Sequence, residues 1–272
     1  ADWYAEKGIR FIAGDAAISI DRSRKQVHTE KGEVVAYDRL ILATGSKPFV
    51  PPIPGTELEG VISFRDIQDG NRMLDYCKTK QNAVVIGGGL LGLEAAYGLK
   101  QQGMNVTVLH LMDRIMDRQL DMKASQMLKK SIEDKGIRII TEANTEELLG
   151  IDGHVTQLRL KDGTMLDADL VVFAIGIRPN KTLAEKAGLR CNRGVLVNDT
   201  MQTYDPSIYA VGECIEHRGQ TFGLVEPLWG QAFICATHLA EHGRLTFKAP
   251  PVPTQLKVSG CDVFSAGNFE PQ

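Results

Sequence analysis

No two of the five cysteines stand close enough to form a C-x-x-C pair. Cys77, Cys191, Cys214, Cys235 and Cys261 are scattered and odd in number. That spacing excludes a redox dithiol formed by sequence neighbours and a thiolate zinc site, and it suits a reducing compartment. No apolar run reaches the roughly 20 residues that a helix needs to cross a bilayer. The opening residues "ADWYAEKGIR" lack the layout of a signal peptide. A cytoplasmic protein without a membrane partner is therefore expected. Basic surplus is missing too: 31 Lys and Arg stand against 34 Asp and Glu, a net charge of −3. Nothing here provides the electrostatic footprint of a nucleic-acid binder. What remains is a composition 43% hydrophobic and 24% charged, that of a globular protein, in 272 residues, enough for one large domain or two ordinary ones.

The chain carries an internal repeat. "GEVVAYDRLILATGSKP" (32–48) aligns without a gap on "GTMLDADLVVFAIGIRP" (163–179). Gly32 meets Gly163, Asp38 meets Asp169, Ala43 meets Ala174, Gly45 meets Gly176 and Pro48 meets Pro179. Upstream, "KGIR" at 7–10 recurs at 135–138. Matched order and spacing point to duplication. Each copy predicts a strand after Lys-Gly-Ile-Arg, then an antiparallel hairpin, then a closing apolar strand. The hairpin turns read as "EKGE" (30–33) and "KDGT" (161–164). The closing runs "LILATG" and "LVVFAIG" have the continuous apolarity of parallel strands buried on both faces. The second copy also has a glycine turn, beginning at Gly87, 89 residues before its closing Gly176. The same distance before Gly45 falls upstream of Ala1, so the first copy is expected to lack its head and the chain to be an excerpt of a longer protein.

That glycine turn has the clearest chemistry. "NAVVIGGGLLGLEAAYGLKQQGMNVTVLH" (82–110) predicts strand, turn, helix and second strand, with Gly87, Gly89 and Gly92 in the G-x-G-x-x-G pattern. In that setting the first glycine permits the turn, the second admits a pyrophosphate, and the third lets helix and strand pack closely. Free amides at the helix start hold the phosphates. Gly87, Gly88, Gly89, Leu90, Leu91 and Gly92 are thus candidates for binding a dinucleotide. The end of the second strand ordinarily carries an acid that bonds the adenosine ribose. Here it is His110, with Arg114 close by. A histidine can bond a ribose hydroxyl without rejecting a 2′-phosphate, or be an ordinary strand-end residue. NADH and NADPH stay unseparated.

With "LILATGSKP", "VVIGGGLLGLEAA", "LVVFAIGIRPN" and "TYDPSIYAVGEC" in this order, the chain resembles the two-dinucleotide flavoprotein family of the pyridine nucleotide-disulfide oxidoreductase type. "LMDRIMDRQLD", "VGECIEHRGQTFGLVEPLWGQA" and "LKVSGCDVFSAG" look most like the flavoprotein part of the NAD(P)H nitrite reductase large subunit. The resemblance implies an α/β fold with two Rossmann-like, three-layer ββα dinucleotide-binding domains, the first incomplete. It implies an FAD domain from 1–75 and 180–250, an NAD(P)-binding domain over 76–179, and the start of a C-terminal segment at 251–272.

The same resemblance assigns residues. Ala43, Thr44 and Gly45 would lie near the flavin diphosphate and ribityl chain, with Ile175 and Gly176 at the matching crossing. Gly212 and Glu213 would contact the ribityl and phosphate groups; the family usually has Asp where this chain has Glu213. Glu94 is placed near the nicotinamide carboxamide. The helix predicted from "EPLWGQAFICATHLA", with Pro227 in its first turn, would point at the flavin, and Trp229 would sit near the ring system. Hydride would pass from NADH or NADPH to FAD, and electrons onward to an iron–sulfur cluster and sirohaem in downstream redox domains absent here. A ferredoxin or rubredoxin reductase serving a small iron–sulfur protein is the alternative, as is a non-catalytic NAD(P)H-binding module. This stretch by itself is expected to be inactive, no residue is assigned as a catalytic acid, base or metal ligand, and a homodimer is left open. Cys214 with His217, and His238 with His242, carry no metal site on spacing alone; the latter pair is expected on a solvent-facing helix surface.

Overall fold

The computed structural model describes residues 2–241, 243, 245–250, 254–256 and 261–267. The chain divides into two compact units, 1–46 with 178–250, and 47–177 with 251–272.

The second unit is built on a five-stranded parallel sheet. Its strands run in the order Val61–Ser63, Leu170–Phe173, Asn82–Ile86, Asn105–Leu109, Ile137–Ile140. Leu170–Phe173 is buried at every position, as its unbroken apolarity predicts for a strand covered on both faces. Side chains alternate between two cores. Val85, Val108 and Val172 face the helices, with Leu93, Ala96, Leu99, Leu128 and Ile132. Val84, Leu109, Val171 and Phe173 face the other way, against Leu148, Val155 and Leu158. That period of two makes one sheet the middle layer of three.

The helices begin where side chains or open amides allow. Ile67–Cys77 starts at a capping box between Asp66 and Asp69. Met122–Glu133 starts at Asp121, whose carboxylate accepts the Ala124 amide at 2.7 Å. Leu90–Gln101 follows Gly89 with no side-chain cap. The third layer is the antiparallel meander Thr145–Ile151, His154–Leu160, Met165–Asp167.

The first unit has its own meander, Ala17–Asp21, Gln26–Thr29, Val34–Ala36. Its pairings Gln26↔Ala36, Val27↔Val35 and His28↔Val34 match Gln157↔Asp167, Leu158↔Leu166 and Arg159↔Met165 in the other unit. The turns fall at 30–33 and 161–164, as the repeat predicts. Leu40–Leu42 pairs in parallel with Ile208–Ala210. A second small sheet, Val195–Val197, Ile215–His217 and Gln220–Thr221, adjoins the helix Val225–Leu239 around a core of Leu42, Val195, Met201, Ile208, Ile215 and Ile234.

Two expectations differ from the structure. A strand is predicted after each Lys-Gly-Ile-Arg, and residues 9–12, which match Ile137–Ile140 of the second copy, form none. Ile137–Ile140 has Asn105–Leu109 to pair with, whereas no described strand stands beside 9–12, and Ile9 and Phe11 are exposed. Residues 47–75, expected with the first domain, belong to the second unit, because Val61–Ser63 forms the edge of the parallel sheet beside Leu170–Phe173. Of the expected C-terminal segment, Thr254–Leu256 and Val263–Ser265 pair antiparallel and group with the second unit; the rest lies outside the described residues.

Candidate dinucleotide and flavin sites

The glycine turn joins the buried strand Asn82–Ile86 to the helix Leu90–Gln101. Gly87 has φ +124° and donates its amide to Leu109 O at 2.8 Å. A Cβ on it would run into Ala174 O. A Cβ on Gly92 would collide with Gly87 O, so the helix and the turn meet only because that atom is missing. Gly89 is different: a Cβ there would meet nothing within 4 Å. Sterics inside the protein explain Gly87 and Gly92 and leave Gly89 without an internal reason. The open space beside Gly89 adjoins the uncapped start of a 12-residue helix, where first-turn amides including Leu90 and Leu91 lack intrahelical acceptors. Donors of this kind, with the positive end of the helix dipole, suit an anion. The residues present therefore fit a pyrophosphate.

Gly88, expected among the cofactor-binding residues, has both backbone groups spent within the protein. Its amide donates to His110 Nδ1 at 3.0 Å and its carbonyl accepts from Met116 N at 2.9 Å. Nε2 of His110 lies 3.1 Å from Asp117 Oδ1. Both ring nitrogens of His110, a candidate for a ribose contact, are thus engaged within the protein. Arg114 donates through Nε to Leu120 O and through Nη1 to Asp113 Oδ1. Glu94 stands in the second turn of its helix rather than the first, so the helix dipole does not account for it. Its side chain has exposed surface, yet desolvation by its surroundings raises its carboxyl above the ordinary carboxylate value.

The other predicted residues fall around the two crossings and the flavin motif. Thr44 Oγ1 donates to Asn180 O at 2.6 Å, Asn180 Nδ2 donates to Thr44 O at 3.2 Å, and the Asn180 amide reaches Gly45 O at 2.9 Å. Asn180, the last letter of the "IRPN" motif, thus holds the Ala43–Gly45 turn. Gly176 accepts from Phe49 N at 3.0 Å, and Ile175 packs at the margin of the meander core.

In the first unit, Glu213 accepts from Ser46 Oγ at 2.8 Å. The Gly212 amide donates to Gln231 Oε1 at 2.8 Å. Gln231 is fully buried, and its Nε2 has no partner. Because the Gly212 amide fixes the oxygen of that side chain, the spare group is a donor. Sequence reasoning missed Gln231; its position one turn after the buried Pro227, on the same helix, was the available signal. Trp229 is 73% exposed. A left-handed glycine, a carboxylate and an orphaned buried amide at one place fit a polar ligand such as the ribityl and phosphate portion of a flavin.

The weaker constellations resolve into structure. Cys214 Sγ donates to Val211 O, while His217 is buried and paired with Asp199 at 2.8 Å. His238 Nδ1 lies 2.9 Å from the Tyr209 hydroxyl rather than free in solvent, and His242 lies outside the described residues. Among the described residues no group of three His, Cys, Asp or Glu side chains is placed to hold a metal ion, and no helix is long and apolar enough to cross a membrane.

The family model described as pyridine nucleotide-disulphide oxidoreductase matches residues 4–231. The chain belongs to that family. It is 50% identical to the nitrite reductase [NAD(P)H] of Bacillus subtilis (strain 168) across 98% of its own length and 33% of the relative's. To the assimilatory nitrate reductase electron transfer subunit of the same organism it is 43% identical, over 99% of this chain and 35% of the relative. Among solved structures, the covalent putidaredoxin reductase–putidaredoxin complex superposes with a TM-score of 0.89 at 30% identity, covering 98% of this chain and 66% of that one. The chain thus spans about a third of the length of these curated relatives. It is an FAD/NAD(P)-binding-fold module of an oxidoreductase family, related to nitrite reductase and to nitrate reductase electron-transfer subunits.

Proposed function

We propose that this chain is the nucleotide- and flavin-handling part of an FAD-dependent NAD(P)H oxidoreductase of the nitrite reductase type. One observation carries the reading: Gly89 opens on empty space beside an uncapped helix start, while Gly87 and Gly92 are required by the protein's own packing. The second unit holds the nicotinamide nucleotide by its phosphates, with Leu90 and Leu91 donating from the first turn and Glu94 orienting the carboxamide. The first unit holds FAD, with Gly212, Glu213 and the Ala43–Gly45 turn about its ribityl and phosphate groups. Pro227 sets the start of a helix aimed at the ring. Bound flavin supplies acceptance of a hydride and its release as electrons; the protein supplies position and exclusion of water.

The electrons are destined for an iron–sulfur and sirohaem centre elsewhere in the parent protein, a reading supported by 50% identity to a nitrite reductase. Delivery to a separate iron–sulfur protein is the second reading, supported by the similarity to putidaredoxin reductase captured with putidaredoxin. Anaerobic titration of the parent protein tests both. NADH or NADPH is expected to bleach the flavin absorbance, and nitrite is expected to restore it. Restoration by an added iron–sulfur protein but not by nitrite favours the second reading. Failure of either nucleotide to bleach the flavin overturns the oxidoreductase assignment.

A further inference from the structure

His110 occupies the position where a Rossmann-type second strand ordinarily presents a ribose-binding acid. Its surroundings assign it other work. A backbone amide can only donate, so Nδ1, at 3.0 Å from Gly88 N, is the acceptor. In the neutral ring the proton then sits on Nε2, which donates to Asp117 Oδ1 at 3.1 Å. The side chain is only 11% exposed. Gly88 is locked from its other end as well, its carbonyl receiving the Met116 amide at 2.9 Å. The wall around it is tight: a Cβ on Gly88 would lie 2.9 Å from Ile115 Cγ2 and 3.0 Å from His110 Cγ.

These contacts form one closed loop. The middle glycine of the turn is riveted to the segment after the second strand by His110 on one side and Met116 on the other. Asp117, on that same segment, fixes the ring's tautomer. Beside the rivet, Gly89 opens on free space at a helix start that no side chain caps. Arg114, also on this segment, is tied to Asp113 and Leu120 O.

Resting on the NAD(P)H reading above, we propose that His110 is a positioning residue that aligns the glycine turn for the nucleotide's pyrophosphate, with Asp117 orienting it, and that it does not read the adenosine ribose. Both nucleotides share the pyrophosphate, so removing the rivet weakens NADH and NADPH alike. A ribose-reading His110 would instead change the ratio between them.

Side-chain geometry supplies the test. In His110→Asn the amide oxygen stands where Nδ1 stands and still accepts from Gly88. In His110→Gln the amide reaches the Nε2 position and leaves Gly88 unserved. Dissociation constants for NADH and NADPH are measured by nucleotide fluorescence on wild type, the Asn, Gln and Leu variants, and Asp117→Asn, with thermal melts confirming folding. His110→Asn and Asp117→Asn are expected to stay within about threefold of wild type, while His110→Gln and His110→Leu weaken both nucleotides by about tenfold, the scale of one hydrogen bond in an equilibrium constant. The NADH to NADPH ratio is expected to hold throughout. Equal losses in the Asn and Leu variants, or a shifted ratio, overturn the proposal alone. Wild type binding neither nucleotide sinks the NAD(P)H reading and this proposal with it.

Discussion

Gly89 and Gly92 are three positions apart in one turn, and the structure gives opposite reasons for them. An alanine at Gly89 meets no protein atom, and the residue's φ of −86° suits any side chain. An alanine at Gly92 drives its methyl into Gly87 O. Gly89→Ala is therefore expected to melt within about 0.5 kcal/mol of wild type, like other substitutions that touch nothing. Its NADH affinity is expected to fall, because the methyl occupies the approach of the phosphate. Gly92→Ala is expected to cost about 1–3 kcal/mol as overpacking, and to lose affinity because the turn itself shifts. Paired melts and NADH titrations separate the two; equal stability losses would remove the argument from Gly89. Asp199 gives a residue-scale pH dependence. The Arg218 guanidinium first, and His217 second, hold its carboxyl from 3.8 down to about 2. A depressed acid contributes its stability in full above the unfolded value and loses it as pH falls through the folded one. Stability from this group is thus expected to drain away between pH 3.8 and about 2. Asp199→Asn should lower stability at neutral pH and flatten the slope in that window. Urea melts at stepped pH read it, and parallel curves for the two proteins would contradict the pairing.

At the scale of elements, the duplication was legible because glycine turns punctuate it. Gly32 and Gly163 both take φ +87°, and the hairpins around them pair in the same register. The glycine-turn strand and helix were legible for the same reason, since a turn, a buried strand and a helical period all point one way. The strand predicted after the first Lys-Gly-Ile-Arg does not form at 9–12 as Ile137–Ile140 does in the second copy, because apolar residues make a strand only when a neighbour accepts their backbone groups. Val61–Ser63 was the reverse case: three residues after the left-handed Gly60, too short to show a period, recruited by parallel pairing to residues more than a hundred positions away. Local pattern carries no trace of such a partner. Equal register also does not mean equal burial. Leu158 is fully buried between meander and sheet, while its counterpart Val27 is half-buried. Leu158→Ala is expected to cost about 2–5 kcal/mol. Val27→Ala is expected to stay below about 1.6 kcal/mol, at about 0.8 for each carbon group removed from a site that is only partly closed. Denaturant melts give both values, and equal costs would mean that the two meanders are packed alike.

Across the whole molecule, each unit has buried clusters of its own among the described residues. One cluster, with Leu42, Val195, Ile208, Ile215 and Ile234, lies in the unit formed by 1–46 and 178–250. The others, with Val85, Leu93, Val108 and Val172, and with Val84, Leu158 and Phe173, lie in the unit around the glycine turn. Each unit has an interior of its own and a separate set of predicted ligand contacts, so the protein is expected to unfold in two calorimetric events rather than one. The proposed sites then label the events. On the proposed reading NADH engages the glycine-turn unit, and a ligand that binds only the folded form stabilises it by about 2.7 kcal/mol at a hundredfold excess over its dissociation constant. That stabilisation should raise one transition and leave the other in place. Asp199→Asn should do the converse, because the Asp199–Arg218–His217 cluster sits wholly in the other unit. Scanning calorimetry of wild type and variant, each with and without NADH, gives four traces that must agree. A single transition moved by both perturbations would show that the two units fold as one, and nucleotide binding could then no longer be assigned to one unit by its stabilising effect.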